Sequence, residues 1–365
     1  MIKFRSQKSE ARGQKEDAGC RMQDARFFFL LTSCFLFLFA SHVFAETREF
    51  TFTVTEGTIE LNGTKFMVWK YNDTFPGPEI RVKEGDIVKV KLRNKSSAKH
   101  GMFFHGLYVN PRVSIQEQEI FVDPDYEYTY GEFIAKPAGT HLYHCSWNMA
   151  EHLSRGLYGA FIVEAKNEPK YDKEFVYILS DWNSKTEKGD DHLGAGHPRS
   201  MLDNDITTIN ERAVTGDNPI VMEAKKGERI RMRLANIGHL PHKIRFADGF
   251  LITHEDGYLI TEPKTQDSIT IYPGKRHDIV ITAGNPGKMT FYHSVNMPKS
   301  AGERLAEIES PNKQADEHKH EHPKASHDSS HDEDKPVPEG FNRGRDKIDA
   351  AKELPIFVLD VRGGK

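Results

Sequence analysis

The sequence predicts an all-β fold in which two sandwich domains follow one another along the chain. Short apolar segments recur at strand spacing between Gly, Pro and Asn residues, and long helical periodicity is scarce. The segments that begin at Asp86, Arg229 and Asp278 alternate polar and apolar residues with period two, which is typical of strands with one buried face. The best helical candidate is residues 300–309, so we expect strands to build the core.

An internal repeat indicates that the two domains are copies of one architecture. Residues 80–94 resemble residues 222–236, and both segments end in the same Leu-(Arg/Ala)-Asn pattern. His100 and His242 are separated by the same offset of 142 residues. A duplicated β-sandwich of about 120–150 residues per copy explains this match.

A second match extends the repeat and helps to place the boundary between the copies. Residues 138–144 resemble residues 286–293, which aligns His144 with His293 at an offset of 149. The charged, proline-containing segment 166–171 separates the copies and is predicted to be the linker. The expected domains are residues 46–168 and residues 169–365.

The first 45 residues are predicted to be a secretory signal. Residues 27–41 carry no charge, Arg21 and Arg26 precede them, and Ala45 stands at a plausible cleavage site. This run is shorter than the ~20 residues that a membrane-spanning helix needs. We therefore expect a periplasmic or secreted protein with no membrane span in its mature form. A lipoprotein anchor at Cys34 is the weaker alternative, because the apolar run continues beyond that residue.

The charge balance gives no reason to expect a nucleic-acid partner, and one histidine-rich segment allows two interpretations. The formal net charge is −4, and without the predicted signal 43 basic and 50 acidic residues remain, so nothing favours nucleic-acid binding. The acidic, low-complexity segment 317–334 holds five histidines and cannot bury a core, which predicts a disordered loop. This loop is either a solvated insertion or a loose binding site for Cu²⁺ or Zn²⁺.

Cys145 is the centre of the strongest chemical pattern in the chain. Removal of the predicted signal leaves it as the single cysteine, and His100 and His152 belong to motifs that flank it. Electron-transfer copper takes one thiolate and two imidazoles in a trigonal plane with a weak axial ligand or none. We predict a type 1 copper site on these three residues, with Leu157 at the axial position and therefore a raised reduction potential. The alternatives are a buried inert thiol and a Cys–His nucleophile.

Three motifs together resemble the superfamily of multicopper oxidases and copper nitrite reductases. They are the segment TFPGPEIRVKEGDIVKVKLRN, the HGMFFHG element that starts at His100, and the YHC…H…GLYG run around Cys145. The resemblance covers nearly all of residues 48–298. It implies two cupredoxin-like Greek-key β-sandwich domains in tandem, with the blue copper in the first.

The resemblance also implies a second copper site. Two-domain oxidases of this type hold a trinuclear copper cluster with eight histidines, and three of those positions remain histidine here: His105, His144 and His293. This trio matches the ligands of the catalytic type 2 copper in similar nitrite reductases, where the third histidine comes from the neighbouring subunit of a trimer. We expect a homotrimer with these three as catalytic residues. The five lost positions are Phe103, Ser146, Arg245, Ala247 and Val295.

Taken together, these patterns predict an exported copper oxidoreductase. A small protein or small-molecule reductant would donate electrons to the type 1 copper, and the dipeptide Cys145–His144 would carry them to the type 2 copper, where a small oxidant is reduced. Nitrite reduction is one alternative, although Phe103 and Ala247 replace the acid and the histidine that assist it; His254 or Asp248 would have to substitute. The other alternative is copper binding or electron transfer without turnover.

The second domain is expected to have lost its own blue-copper site. The repeat aligns Ser294 with Cys145, and a hydroxyl is a poor copper ligand beside a thiolate. His242 then remains at the position of the first copper ligand, where we expect a buried, hydrogen-bonded histidine. His239 is expected at the surface or behind a ligand.

Overall fold

The computed structural model describes residues 45–107, 120–188, 203–210, 212–295 and 353–363. Within these ranges the all-β prediction is confirmed, because strands form the architecture and helices are limited to two short segments, α1 (Met149–Ser154) and α2 (Ser184–Lys188). The predicted signal, the predicted helix at 300–309 and the histidine-rich segment 317–334 lie outside the described residues, apart from Ala45. No helix in the described ranges is both long and apolar enough to span a membrane.

The first half forms two four-stranded sheets and a small ribbon. The sheets have the orders β2-β1-β4-β8 and β3-β10-β9-β6, and β5 pairs with β7. The strands are β1 (Thr47–Leu61), β2 (Thr64–Tyr71), β3 (Gly77–Lys83), β4 (Ile87–Asn94), β5 (His100–Gly101), β6 (Phe103–His105), β7 (Phe121–Val122), β8 (Glu127–Ile134), β9 (Gly139–His144) and β10 (Tyr158–Glu164).

The second half forms one continuous sheet of eleven strands. Its order is β13-β12-β11-β15-β19-β16-β20-β21-β14, and β17 and β18 also pair with β16. The strands are β11 (Lys173–Trp182), β12 (Ile206–Ile209), β13 (Arg212–Ala213), β14 (Ile220–Lys225), β15 (Arg229–Asn236), β16 (His242–Glu255), β17 (Tyr258–Leu259), β18 (Thr265–Ile271), β19 (Arg276–Thr282), β20 (Gly287–Val295) and β21 (Leu354–Arg362).

Strand pairing repeats between the halves. The first strand of each half pairs in parallel with the strand that ends in the repeated asparagine, which is β1 with β4 and β11 with β15. Asn94 Nδ2 donates to the carbonyls of Ala98 and Val122, and Asn236 Nδ2 donates to those of Leu240 and Ile271. Equal roles at equal positions support the predicted duplication.

Each half has its own apolar core, and a third cluster joins the two. Alternating residues of the strands, such as Val88, Val90 and Leu92 in β4, point into the first core, as period two requires. The joining cluster contains Leu142 from β9 and Ile178 from β11. The outer face of β9 therefore packs against the second half, and this contact fixes the surroundings of the residues that follow β9.

Candidate metal centre

The three predicted type 1 copper ligands come from three different segments of the first half. His100 begins β5, Cys145 directly follows β9, and His152 lies in α1. Strands β9 and β10 pair antiparallel with His144 opposite Tyr158, so residues 145–157 form the connection between the two strands. This connection contains both Cys145 and His152, and His100 lies in the neighbouring ribbon.

The ligand atoms of these residues converge on one point. Cys145 Sγ lies 3.0 Å from His152 Nδ1 and 3.9 Å from His100 Nδ1, and the two ring nitrogens are 3.2 Å apart. Elsewhere in the described residues, no other three His, Cys, Asp or Glu ligand atoms lie within 4.8 Å of one another, as these do. One sulfur and two imidazole nitrogens are the donor set of a trigonal copper site, so the residues present fit that ion.

Hydrogen bonds behind His100 orient its ring. His100 Nε2 lies 2.7 Å from Ser96 Oγ, and that hydroxyl donates to Asn94 Oδ1 at 2.8 Å. Because the hydroxyl hydrogen goes to Asn94, His100 Nε2 must be the donor to Ser96, which leaves the Nδ1 lone pair facing Cys145. Gly101 N–H donates to Cys145 Sγ at 3.3 Å and holds the sulfur from the other side.

Burial sets the protonation of the three ligands. Desolvation, with His152 nearby, lowers the pKa of His100 to about 3, and desolvation, with Arg155 nearby, lowers the pKa of His152 to about 4. Both rings are therefore neutral near pH 7 and have a lone pair to offer. Desolvation raises the pKa of the Cys145 thiol to about 12, so metal binding must displace its proton.

Apolar side chains close the site. Leu157 is fully buried in the same core cluster as Cys145, and its carbonyl accepts from Cys145 N–H at 3.0 Å. The Trp69 ring packs with its centroid 4.4 Å from that of His152 and 5.1 Å from that of His100. The spacing to His152 predicts Leu157 here, whereas no sequence pattern pairs β2, and therefore Trp69, with the metal ligands.

His105 and His144 meet on the opposite face of β9 from the sulfur. Side chains alternate along a strand, so His144 points outward while Cys145 points into the core. The ring centroids of His105 and His144 are 5.6 Å apart, and the Phe103 ring lies 5.4 Å from that of His144. Burial lowers the pKa of His105 to about 4, with Arg276 contributing, and burial also lowers the pKa of His144, so both rings are neutral.

Within the chain, His293 does not join His105 and His144. Strand pairing aligns the two copies of the repeat with a different offset from the one that the sequence predicts. Phe103 is opposite His144 in the first half, whereas Tyr292 is opposite Arg245 in the second. The offset in these strands is therefore 148 residues rather than 149. His293 takes the position of Cys145, and Tyr292 takes that of His144.

Contacts of His293 agree with this register. Its Nε2 lies 2.8 Å from Nδ1 of His242 inside the second half, and the residue is 3% exposed. The prediction that Ser294 aligns with Cys145 is wrong for the same reason. Within the chain, the structure brings His105 and His144 together without His293.

Two further positions named by the sequence analysis, Arg245 and His254, contact other residues of the structure. Arg245 forms an ion pair with Glu353, with Nε 2.8 Å from Oε1. His254 Nδ1 lies 3.0 Å from Thr253 Oγ1 and 3.6 Å from Asp278 Oδ2. The His254 ring therefore contacts residues of the second half.

His239 and Asp248 lie in different environments in the second half. His239 is partly buried, and its Nε2 lies 3.1 Å from Ser154 Oγ in α1, so it lies behind the loop that carries a predicted ligand. Asp248 is exposed. The expectation that His242 is buried and hydrogen-bonded is confirmed, since its partners are His293 and Asp181.

Comparison with known proteins places this architecture. Family models described as multicopper oxidase match residues 53–168 and residues 173–315. The crystal structure of the blue copper oxidase from Nitrosomonas europaea is 31% identical, with a TM-score of 0.60, and the match covers 70% of this chain and 82% of that one.

Curated relatives match over shorter shares of their length. A copper-containing nitrite reductase of Neisseria meningitidis serogroup B is 31% identical over 205 residues, which are 53% of this chain and 48% of that protein. The L-ascorbate oxidase of Cucumis sativus is 29% identical over 267 residues, which are 63% of this chain and 44% of that enzyme. The chain thus spans less than half of each of these relatives. The two matched models and the similarity to the blue copper oxidase establish that the chain belongs to the multicopper oxidase family.

Proposed function

We propose that the chain is a copper oxidoreductase whose electron-accepting centre is a type 1 copper on His100, Cys145 and His152. The observation that carries this proposal is the convergence of His100 Nδ1, Cys145 Sγ and His152 Nδ1 within 4.8 Å in a fully buried pocket. Copper bound there supplies one-electron redox chemistry. A protein or small-molecule reductant would donate the electron, and the predicted signal segment favours an exported, periplasmic or secreted protein.

The residues of the site favour rapid electron transfer. Ser96, Gly101 and the Trp69 ring hold the three ligands from behind, so little rearrangement accompanies a change of charge. Burial of Leu157 and Cys145 excludes water. Leucine cannot ligate, so a site without an axial thioether is expected to have a raised reduction potential.

His144 provides a route away from the sulfur. It is bonded to Cys145 through one peptide, and its ring emerges on the opposite face of β9 beside His105. We propose that electrons leave through this dipeptide and that His105 and His144 are the fixed ligands of a second, type 2 copper. Neutral imidazoles with an open coordination position suit the binding of a small oxidant.

The third ligand that the sequence predicts, His293 of a neighbouring subunit, is paired with His242 within the chain. A homotrimer in which His293 of a neighbouring subunit completes the site would require His293 to leave His242 and to expose a buried ring. We therefore assign His105 and His144 alone to the second copper. Replacement of His293 by alanine is then expected to leave the oligomeric mass and the reactivity of the second site unchanged.

Nitrite is a weaker candidate for the oxidant. The nitrite reductase of Neisseria meningitidis supports it by similarity. Phe103 packs against the ring of His144 at 5.4 Å and has no proton to give, and general acid assistance is typically worth about 10²–10⁴-fold in rate. Anaerobic turnover with a reduced dye and nitrite tests this alternative. If the copper-loaded protein forms no more nitric oxide than the metal-free protein, nitrite is not the oxidant.

Electron transfer without turnover is the second candidate function. The observation that favours it is the pairing of His293 with His242, which leaves two imidazoles at the second site where a catalytic copper usually has three protein ligands. In that case the protein would exchange electrons with a partner through Cys145–His144 and would not reduce oxygen or nitrite.

One experiment separates these functions. The copper-loaded protein is reduced with one electron per type 1 site and then mixed with oxygen, and the return of visible absorption is followed in the wild type and in His105→Ala. The proposal predicts that both proteins are coloured and that reoxidation is lost in the variant. His254→Ala, which alters a histidine outside both sites, should reoxidise normally. Equal reoxidation in wild type and His105→Ala would contradict the role of the second site.

A further inference from the structure

The second half contains a buried histidine pair that the proposed function does not use. His242 is fully buried, His293 is 3% exposed, and His242 Nδ1 lies 2.8 Å from His293 Nε2. Asp181, 1% exposed, approaches His242 Nε2 to 3.2 Å from the other side. We name these three residues the second-domain histidine pocket.

This pocket occupies the place that the copper ligands have in the first half. His242 corresponds to His100 at the offset of 142, and the strand register places His293 where the first half has Cys145. The side chain of His293 points into the second half, as that of Cys145 points into the first. An imidazole nitrogen has thus replaced the thiolate sulfur, while the first imidazole has been kept.

The hydrogen-bond partner of the first histidine also differs between the two halves. Ser96 holds His100 Nε2 in the first half, and its counterpart in the second is Gly238. A Cβ atom on Gly238 would collide with Asp181 Oδ2, so the absence of a side chain there makes room for the carboxylate. A carboxylate behind a histidine is the usual partner of a metal-bound imidazole, because it fixes the tautomer and makes the other nitrogen more basic.

Hydrogen bonds define which nitrogen is free. Asp181 Oδ2 accepts the backbone N–H groups of His239 at 3.1 Å and Leu240 at 3.0 Å, and both suit an ionised carboxylate. In the neutral ring with Nε2 donating to the same oxygen, His242 Nδ1 carries the lone pair, and it faces His293 Nε2. Two nitrogens on separate strands therefore share one hydrogen in a dry pocket.

We propose that the second-domain histidine pocket is a binding site for Cu(I), held by His242 Nδ1 and His293 Nε2. The ion would replace the shared hydrogen, and His293 would keep its proton by moving it to Nδ1, so no net proton is released. The two nitrogens, now 2.8 Å apart, would separate by about 1.3 Å to bind a metal in line at about 2.0–2.1 Å from each, the usual imidazole–metal distance.

Charge selects the monovalent ion. One positive charge on the metal is balanced by the one negative charge of Asp181, whereas a divalent ion would leave an uncompensated charge in a buried pocket. Two imidazoles in line also satisfy Cu(I), while Zn²⁺ in structural sites almost always takes four ligands. The pocket therefore differs in metal and in chemistry from the sulfur-containing site of the first half.

The test uses the full mature chain with Cys145→Ser and His105→Ala, which remove the other two proposed sites. Cu(I) is titrated anaerobically against a chromophoric chelator strong enough to strip loosely held copper. We expect one retained Cu(I) per chain, with two nitrogen and no sulfur ligands by X-ray absorption. Adding His242→Ala should abolish retention, and adding Asp181→Asn should weaken binding about 10–100-fold. His254→Ala is the matched control and should change nothing.

A conservative variant guards against loss of fold. His293→Gln retains an amide that can donate to His242 Nδ1, so the fold is expected to survive while Cu(I) retention is lost; circular dichroism checks the fold. His242 takes no part in either site of the first half, so its variant distinguishes this proposal from the proposed function. Retention that is unchanged by His242→Ala and His293→Gln, or a preference for Zn²⁺, would overturn the proposal.

Discussion

At the scale of single residues, the two halves use one scaffold with different ligands. The first half places a thiol beside His100 and supports that ring with the Ser96 hydroxyl. The second half places His293 beside His242 and supports it with a carboxylate. The substitution of sulfur by nitrogen and of a hydroxyl by an ionised group changes the metal that each pocket suits, while the ligands keep corresponding strand positions.

Leu157 provides a test of how the first site tunes its potential. Leu157→Met conserves volume and offers a thioether at the axial position, which stabilises Cu(II). We expect a lower reduction potential with the visible colour retained, measured by potentiometric titration. Leu153→Met, in the same loop but in the cluster between the halves, is the control and should leave the potential where it is. An unchanged potential in Leu157→Met would argue against an axial role.

At the scale of elements, local patterns predict the strands and bring together His100, Cys145 and His152, whose ligand atoms converge in the structure. Period two marks β4 and β15, and spacing alone links Cys145 to His152 through one loop. The sequence alignment of His293 with His144 differs by one residue from the strand register, because the segments before the two histidines look alike while strand pairing sets which face each residue occupies. A shift of one residue moves a side chain from one face to the other.

Partners that arrive from distant strands could not be predicted in the same way. Asp181 lies at the end of β11, about sixty residues before His242, and meets it because β11 and β15 pair in parallel. Trp69 reaches the first site from β2. No spacing rule connects such residues, so only the sheet order identifies them.

Glu174 in β11 provides a pH test of the network between β11 and β15. Burial alone would raise its pKa, but Arg233, Arg231 and Arg81 hold the pKa of Glu174 below its usual range. A carboxyl with a lowered folded-state pKa stabilises the protein above its unfolded pKa and loses that effect as the pH falls through the folded value. Glu174→Gln should therefore cost about 1.5–3 kcal/mol at pH 7.

The same variant should converge with the wild type in acid. Below pH 4.5, the usual glutamate pKa, the stabilisation begins to fade, and it is lost as the pH falls through the lowered folded-state pKa of Glu174, so the difference in free energy of unfolding should shrink there. Urea unfolding at several pH values measures it. Glu60→Gln, on the exposed side of β1, is the control and should change the free energy of unfolding little. A pH-independent difference for Glu174→Gln would contradict the electrostatic origin.

At the scale of the whole molecule, a buried ion pair within the second half is hydrogen-bonded to Thr140 of the first half. Arg233 is fully buried, and its Nη1 lies 2.8 Å from Asp278 Oδ2 and from Thr140 Oγ1 of β9. Thr140 donates in turn to Asp278 Oδ1 at 2.6 Å. The strand that leads into Cys145 is therefore anchored to the second half by charged groups that water does not reach.

Removal of this arginine should destabilise the whole chain. Arg233→Leu leaves the buried Asp278 carboxyl without its guanidinium partner, and a broken buried pair typically costs about 3–5 kcal/mol. Arg93→Leu removes an exposed partner of Glu127 and should cost about 0–1 kcal/mol. Chemical unfolding monitored by circular dichroism measures both. Equal, small losses would mean that the buried ion pair stabilises the fold no more than the exposed one does.

The most direct test of the central claim is the visible absorption and copper content of the copper-loaded mature protein compared with Cys145→Ser. The account predicts an intense visible band in the wild type, because thiolate donates charge to copper, and a folded but colourless serine variant with one copper fewer per chain. A serine variant as coloured as the wild type, with the same copper content, would contradict the assignment of His100, Cys145 and His152 as the electron-accepting centre.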